Sequence, residues 1–341
     1  MEFKGLIYKI IDNKIDKIRL HHLNEQELNT LINALKLNTS LKQLNLYFNQ
    51  IENMTLLCKS LENNSCLKKL DLSDNNIEDI TPIKYLSNSC LKELDLSNNL
   101  IEDITPLKFL SNSSLKKLKL NNNQIKDIIP LKCLKHNSCL QILDLSDNQI
   151  EDITPLKCLS NSCLRTLYLS GNQIEDISSL TYLSNSCLQE LWLSSNKIEN
   201  IIPLKFLSNS YLKYLNLDNN QIKDISPIKL VSNSCLKTLC LNNNQIEDVT
   251  PLKYLKNNSC LYTLCLSGNQ IKDITSLKCL ENNSCLEILS LSYNQIKDII
   301  PIKYLSNSCL KILDLEHNQI NYRDEQKLIK LAGLKQIELY I

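Results

Sequence analysis

The chain has 341 residues, with 38 basic and 37 acidic side chains and a formal net charge of +1. A charge this balanced excludes binding to nucleic acid or to an anionic membrane surface by bulk electrostatics. No apolar stretch is long enough to span a bilayer, and four glycines leave no Gly-rich loop to cradle a phosphate.

The opening MEFKGLIYKIIDNK scatters charges through its apolar positions. It lacks the uninterrupted apolar run and small-residue cleavage site of a signal peptide. It reads as a cap, since GLIYKI is apolar enough to pair with, or cover, the first edge of a sheet. From Ile15 onward the chain copies itself. Unit starts fall at Ile15, Leu41, Leu67, Leu91, Leu115, Leu140, Leu164, Leu188, Leu212, Leu236, Leu261, Leu286, Leu310 and Leu334, spaced 24–26 residues apart. A fixed period in this range is the signature of a solenoid.

The first unit carries a full helix. Asn24 and Glu27 form a capping box, and Leu28, Leu31, Ile32 and Leu35 make a helical apolar stripe. From Leu67 to Leu310 the units are regular, and Leu91–Ser114, LKELDLSNNLIEDITPLKFLSNSS, represents them. Leu91, Leu94 and Leu96 set a period of two, which predicts a short strand. Asn99 follows at the bend, where its side chain can satisfy backbone groups that a tight turn leaves unpaired. Twelve successive units, from Asn49 to Asn318, place Asn at this offset, so an internal ladder is expected. Ile101, Ile104, Leu107 and Leu110 recur three apart, as in a short helix or 3-10 turn. All eight prolines occupy the offset of Pro106, in a first helical turn that tolerates a missing N–H. Asp79, Asp103 and their equivalents just ahead suit the start of that turn electrostatically. The column Tyr85, Phe109, Cys133, Cys158, Tyr182, Phe206, Tyr254, Cys279 and Tyr304 is expected to pack on the same side. One-residue insertions near His136, Asn257 and Asn282 fall in the linkers, which can absorb them. At the end, NYRDEQKLIKLAG gives a helical stripe at Leu328 and Leu331, with Gly333 as its stop. LKQIELYI then supplies a last strand. The chain is thus read as one domain over 1–341, with a cap and first helical repeat over 1–40, regular repeats over 41–320 and a helix–strand cap over 321–341.

Fifteen cysteines are present, and nine of them directly precede a unit start: Cys66, Cys90, Cys139, Cys163, Cys187, Cys235, Cys260, Cys285 and Cys309. Metal sites and disulfide frameworks need paired spacings, not one cysteine per unit. The column reads as free thiols in a repeated half-buried slot, and Ser114 and Tyr211 show that the slot accepts other residues. So many free thiols point to a reducing, cytoplasmic compartment. None of the four histidines, His21, His22, His136 and His317, shares a rung with a carboxylate–nucleophile constellation. No catalytic site, metal site or cofactor is expected.

LKELDLSNNLIEDI resembles the leucine-rich repeat pattern LxxLxLxxNxI. Ile104, Leu107 and Leu110 continue it in the manner of the short-repeat class, seen in the nuclear regulatory subunit of protein phosphatase 1 and in internalins. The first helical unit, LINALKLNTSLKQLNLYFNQI, is similar to the ribonuclease-inhibitor type. The resemblance implies an α/β fold: a curved right-handed solenoid with a parallel β-sheet on its concave face and short helical or 3-10 turns on its convex face.

Residues flanking the strand leucines point out from the sheet. The residue before the second leucine and the residue after it vary from unit to unit, while the core columns do not. Lys69, Asp71, Glu93, Asp95, Lys117 and Lys119 mix both signs and read as a solvated cross-strand ion-pair ladder. Trp192, the only tryptophan, is expected to point outward, with Tyr168 and Tyr214 on neighbouring units and Glu190 and Asp218 close by. Clustered Trp and Tyr on a surface are the composition of a binding hot spot, or else aromatic stacking that stiffens the sheet. Cys240 and Cys265, on adjacent units of that face, suit a disulfide or half a metal site, but with no His or third Cys beside them they read as small-residue filler. The sequence therefore points to a non-catalytic scaffold, expected to be monomeric, that binds a protein partner through Tyr168, Glu190, Trp192, Tyr214 and Asp218. The resemblance leaves open a regulatory or inhibitory subunit of an enzyme such as a phosphatase. A pathogen or viral effector that engages host proteins is the other reading.

Overall fold

The computed structural model describes residues 3–111, 113–184, 186–209, 211–230, 235–281, 283–307 and 309–341. The insertion at Asn282 and the side chain of Phe206 lie outside the described residues. The chain divides into two compact units, Met1–Tyr168 and Leu169–Ile341.

Unit 1 opens with helix α1 (Phe3–Ile11), strand β1 (Lys17–Arg19), helix α2 (Glu25–Leu35), β2 (Gln43–Asn45) and the short α3 (Thr55–Ser60). Then come β3 (Lys69–Asp71), β4 (Glu93–Asp95), β5 (Lys117–Lys119), β6 (Ile142–Asp144) and β7 (Thr166–Tyr168). Each of β3 to β6 is followed by a six-residue 3-10 turn, from Thr81–Leu86 to Thr154–Leu159. Strands β1 to β7 pair in parallel and in chain order, leucine against leucine from Leu44–Leu70 to Leu143–Leu167. The apolar segment that sequence allowed either to pair with the sheet edge or to cover it is a helix. Its Ile10 is fully buried, and the buried Asn38 Nδ2 donates to the Ile10 carbonyl at 2.7 Å. The capping box forms as expected: Glu27 N–H donates to Asn24 Oδ1 at 2.9 Å and Asn24 N–H to Glu27 Oε2 at 3.1 Å.

Unit 2 repeats the scheme with β8 (Glu190–Trp192), β9 (Tyr214–Asn216), β10 (Thr238–Cys240), β11 (Thr263–Cys265), β12 (Ile288–Ser290) and β13 (Ile312–Asp314). Helix α4 (Tyr322–Lys335) and β14 (Glu338–Tyr340) close it. These strands too are parallel and in chain order. The end differs from expectation in two ways. Gly333 lies inside α4, which runs on to Lys335 and stops at Gln336 in the left-handed conformation, with φ 56°. Leu334 therefore starts no repeat; it is 76% exposed, and the register sets Leu339 opposite Leu313. The longer helix delays the last strand by two residues relative to the regular units.

The core is made of stacked columns. Leu91, Leu94, Leu96, Ile101, Ile104, Leu107 and Leu110 of one unit are all buried. A fully buried Leu or Ile side chain contributes about 1.5–3 kcal/mol relative to exposure. The asparagine ladder fills the polar edge of this core. Asn99 Nδ2 donates to the carbonyls of Leu72, Leu96 and Ser97 at 3.0–3.1 Å, and Asn99 Oδ1 accepts from Ile77 N–H at 3.0 Å. Each asparagine thus joins its own turn to the previous one. Asn196, Asn220, Asn244 and Asn294 repeat the pattern in unit 2.

The residue before each ladder Asn adopts positive φ, from Phe48 and Asp74 to Tyr293 and His317. Gly, Asn and Asp suit that region best, and they occupy most of these positions. At Gly268 the need is also steric, because a Cβ would meet Asn243 Oδ1 at 2.1 Å. The aspartates ahead of the 3-10 turns accept as expected, for example Asp103 Oδ1 from Thr105 N–H at 2.7 Å. The hydrogen bonds from Thr105 hold the Asp103 carboxyl below its usual value. In the longer linkers the extra residue lets an asparagine turn inward. Asn137 is buried and donates to the Leu115 carbonyl at 3.1 Å, whereas in the 24-residue units Ser89 bonds the Leu86 carbonyl instead.

Two side-chain expectations change. Of the nine cysteines before unit starts, only Cys139 and Cys260 are half-buried, and the other seven are exposed. The position precedes the leucine that enters the core, so nothing covers it from outside. The turn-side aromatics are also more open than packing implied. Phe109, Tyr182 and Tyr254 are exposed, and Lys108 and Lys253 lie 5.3 and 5.2 Å over their neighbouring rings.

Candidate functional site

The outward rows of unit 1 are an ion-pair ladder. Lys69 Nζ lies 3.1 Å from Glu93 Oε2, Lys117 Nζ 3.9 Å from Glu93 Oε1, and Lys119 Nζ 3.0 Å from Asp95 Oδ2. Asn45 Nδ2 adds a bond to Asp71 Oδ2 at 2.6 Å. The lysines are more than a third exposed, so each pair contributes at most about 1 kcal/mol. Further along, Asp144 lies in register between Lys119 and Tyr168. Burial pushes its carboxyl above the usual carboxylate range, against hydrogen bonds from Ser146 and the nearby Lys119 charge. Tyr168, the last residue of unit 1, is half-buried.

The outward rows of unit 2 carry the other predicted residues. Trp192 is half-buried, with its indole nitrogen shielded from solvent. Only part of the side chain is therefore open to a partner. Glu190 and Tyr214 are direct register partners on β8 and β9, both half-buried, while the partner of Trp192 on β9 is Asn216. Tyr214 is thus in the neighbouring row, diagonal to the indole. Asp218 sits past the strand and is engaged by the next turn. Its Oδ1 accepts from Asn242 N–H at 2.6 Å and its Oδ2 from Asn242 Nδ2 at 3.4 Å. Burial raises its carboxyl, and the bonds from Asn242 offset part of that. Asp218 is a turn-holding residue as much as a surface one. Beyond it in the Trp192 row come Asn216, Cys240, Cys265, Ser290 and Asp314.

Sequence reasoning missed an aromatic group at the start of unit 1. His21 and Tyr47 rings lie 5.3 Å apart, His22 and Phe48 4.8 Å apart, and the Arg19 guanidinium sits 5.2 Å over Tyr47. The signal was available: His21-His22 and Tyr47-Phe48 are one repeat apart at the same offset. A second such pair, Tyr293 and His317, stacks at 4.2 Å in unit 2. Among the described residues no group of three His, Cys, Asp or Glu is placed to hold a metal ion. No helix among them is long and apolar enough to cross a membrane.

Family models for the leucine rich repeat match residues 89–150 and 113–174, and a two-copy version matches 67–109, 164–209, 186–230, 210–254 and 236–279. A further repeat model matches 282–299 and 306–323. The chain belongs to the leucine-rich repeat family. No curated protein matches this repeat chain. Among solved structures, it is 28% identical to the internalin InlF of Listeria monocytogenes, covering 94% of this chain and 93% of that one with a TM-score of 0.67. A leucine-rich repeat protein of Leptospira interrogans is 21% identical, with 99% and 98% covered and a TM-score of 0.70. The plant peptide hormone receptor RGFR1, solved in complex with RGF2, is 20% identical; 90% of this chain matches 52% of that one, with a TM-score of 0.64. Leucine-rich repeat folds are common scaffolds for protein–protein interaction, and the outward rows of this one hold the side chains that differ between repeats.

Proposed function

We propose that this leucine-rich repeat protein is a non-catalytic interaction scaffold that binds a protein partner on the sheet face of unit 2, at Glu190, Trp192 and Tyr214. One observation carries the reading. On a surface whose leucine and asparagine columns are invariant from repeat to repeat, the one tryptophan of the chain occupies an outward row, half-buried beside a Glu–Tyr register pair. A large ring already held by its neighbours loses little entropy when a partner covers it, which is what makes Trp and Tyr effective anchors. Parallel strands fixed by the asparagine ladder keep that surface preorganised. Asp218 supports the site by holding the turn at Asn242, and Tyr168 in unit 1 is a separate contact candidate. The same proposal places the protein in a reducing compartment, where its fifteen unpaired thiols would persist. The test is capture of partners from source-cell lysate with the wild type beside Trp192→Ala and Lys119→Ala. A partner lost with Trp192→Ala and kept with Lys119→Ala supports the site. A partner kept by both contradicts it.

A further inference from the structure

Cys240 and Cys265 stand apart from the other thirteen cysteines. They are direct register partners on β10 and β11, both half-buried on the sheet face. Neighbouring strands lie about 4.8 Å apart, so two side chains facing the same way from paired positions bring their sulfurs together. Their register sets the two thiols side by side on neighbouring strands, on the same face of the sheet. Ser290 on β12 is the register partner of Cys265 on its other side. The consequence is an asymmetric pair. The neighbouring Cys240 thiol holds the Cys265 thiol below its usual value, against burial and the Asp218 charge. Cys240 is pushed up by the Cys265 sulfur beside it, then by burial and by Asp218.

The chain supplies its own contrast. Cys133 and Cys158 also lie on successive repeats, but on the turn side. Cys158 Sγ donates to the Leu131 carbonyl at 3.3 Å, and burial pushes both thiols up to about 11. Cys279 donates to the Leu252 carbonyl at 3.1 Å and is pushed up by burial to about 12. The Cys158 and Cys279 thiols thus give their protons to backbone oxygens, and burial raises all three.

We propose that Cys240 and Cys265 form a dithiol site for exchange with low-molecular-weight disulfides, with Cys265 as the nucleophile and Cys240 as the resolving thiol. The Cys265 thiolate attacks one sulfur of the small disulfide. A mixed disulfide forms on Cys265 and one small thiolate leaves. Cys240 then loses its proton and attacks Cys265 Sγ, which closes the Cys240–Cys265 bond and releases the second small thiolate. The two protein thiols are oxidised, the small disulfide is reduced to two thiols, and the two protons lost by the protein are taken up by them. A disulfide prefers a Cβ···Cβ separation of about 3.5–4.5 Å, slightly less than the ~4.8 Å strand spacing. The two positions must close by about 0.3–1.3 Å, so the bond is strained and readily reversed by excess thiol.

The test uses the full chain with the nine cysteines before unit starts replaced by Ser, the residue that position 114 carries already. Oxidised glutathione is added to the folded protein, free thiols are trapped by alkylation, and peptides are mapped by mass spectrometry. The expected result is loss of two hydrogens, mapped to the 240–265 pair, before any change at Cys133, Cys158 or Cys279. With Cys240→Ser a stable glutathione adduct accumulates on Cys265; with Cys265→Ser, adduct formation at Cys240 is slower by on the order of tenfold or more. Equal rates at Cys240 and Cys265, a Cys133–Cys158 disulfide forming as fast, or an adduct on Cys265 that never closes would each overturn the proposal. Should the nine-site variant fail to fold by circular dichroism, the same peptide map on the unsubstituted chain reads the same order.

Discussion

The sheet faces of the two units rest on the same three-residue strands and the same buried leucines, yet they present different chemistry. In unit 1, β3 to β5 carry Lys69, Glu93, Asp95, Lys117 and Lys119, which neutralise one another across neighbouring strands. In unit 2, β8 to β11 carry Glu190, Trp192, Tyr214, Cys240 and Cys265, an aromatic and thiol set in place of alternating charges. The lesson is that a repeat fixes where a side chain points and leaves open what it is. Ion pairs that satisfy each other on an exposed face ask little of a partner. An aromatic ring and a thiol pair on the same scaffold have chemistry left to offer.

The largest expected effect tests whether the leucine rows, and not the outward rows, hold the fold. Leu191→Ala empties a fully buried site between two outward residues and should cost about 2–5 kcal/mol of stability by chemical denaturation. Trp192→Ala, one position on, should cost clearly less. Equal losses would mean that Trp192 belongs to the core, and the contrast between rows would collapse. Next comes the ladder. Asn196→Ala strips the bonds to the Leu169 and Leu193 carbonyls and leaves Ile174 N–H without its acceptor. Leaving such buried groups unmet costs about 1–3 kcal/mol, and a change within error in urea midpoint would show that water replaces the asparagine.

A smaller effect separates unit 1's ion pairs from the half-buried Asp144. Burial holds the Asp144 carboxyl above 3.8 in the fold, so the folded chain keeps this proton longer than the unfolded one. Its contribution to stability is present below the unfolded pKa and is lost as pH rises through the folded value. Asp144→Asn should therefore gain on the wild type between about pH 3 and pH 7, read as the difference in urea midpoints. A constant difference would mean that Lys119 already compensates the charge. The smallest effect is at the ladder itself: Lys69→Ala should shift stability by under about 1 kcal/mol, and less again in high salt.

Most of the fold was legible because the period, the asparagine offset and the proline offset agree with one another in repeat after repeat. Where only one copy of a signal existed, the reading slipped. Gly333 looked like a helix stop, but Leu334 and Lys335 continue α4, and Gln336 takes the left-handed position instead. GLIYKI fitted a strand or a cover equally well, and packing against α2 decides for the helix. The cysteine column was misjudged because its position relative to the core leucine, not its composition, decides exposure. For the surface, sequence placed Glu190, Trp192 and Tyr214 on outward rows. It could not show that Trp192 is half-buried, nor that the Asp218 carboxylate is held by Asn242. The His21, His22, Tyr47 and Phe48 group was missed because its members sit in the turn after the strand, outside the rows that were compared.

The most direct test of the central claim is the affinity of the captured partner for three chains: wild type, Trp192→Ala and Lys119→Ala, measured by calorimetry. If unit 2's sheet face is the binding surface, Trp192→Ala weakens binding by about 2 kcal/mol or more, roughly thirtyfold, and Lys119→Ala changes it by less than about threefold. The reverse order, with Lys119→Ala abolishing binding and Trp192→Ala leaving it intact, would contradict the account.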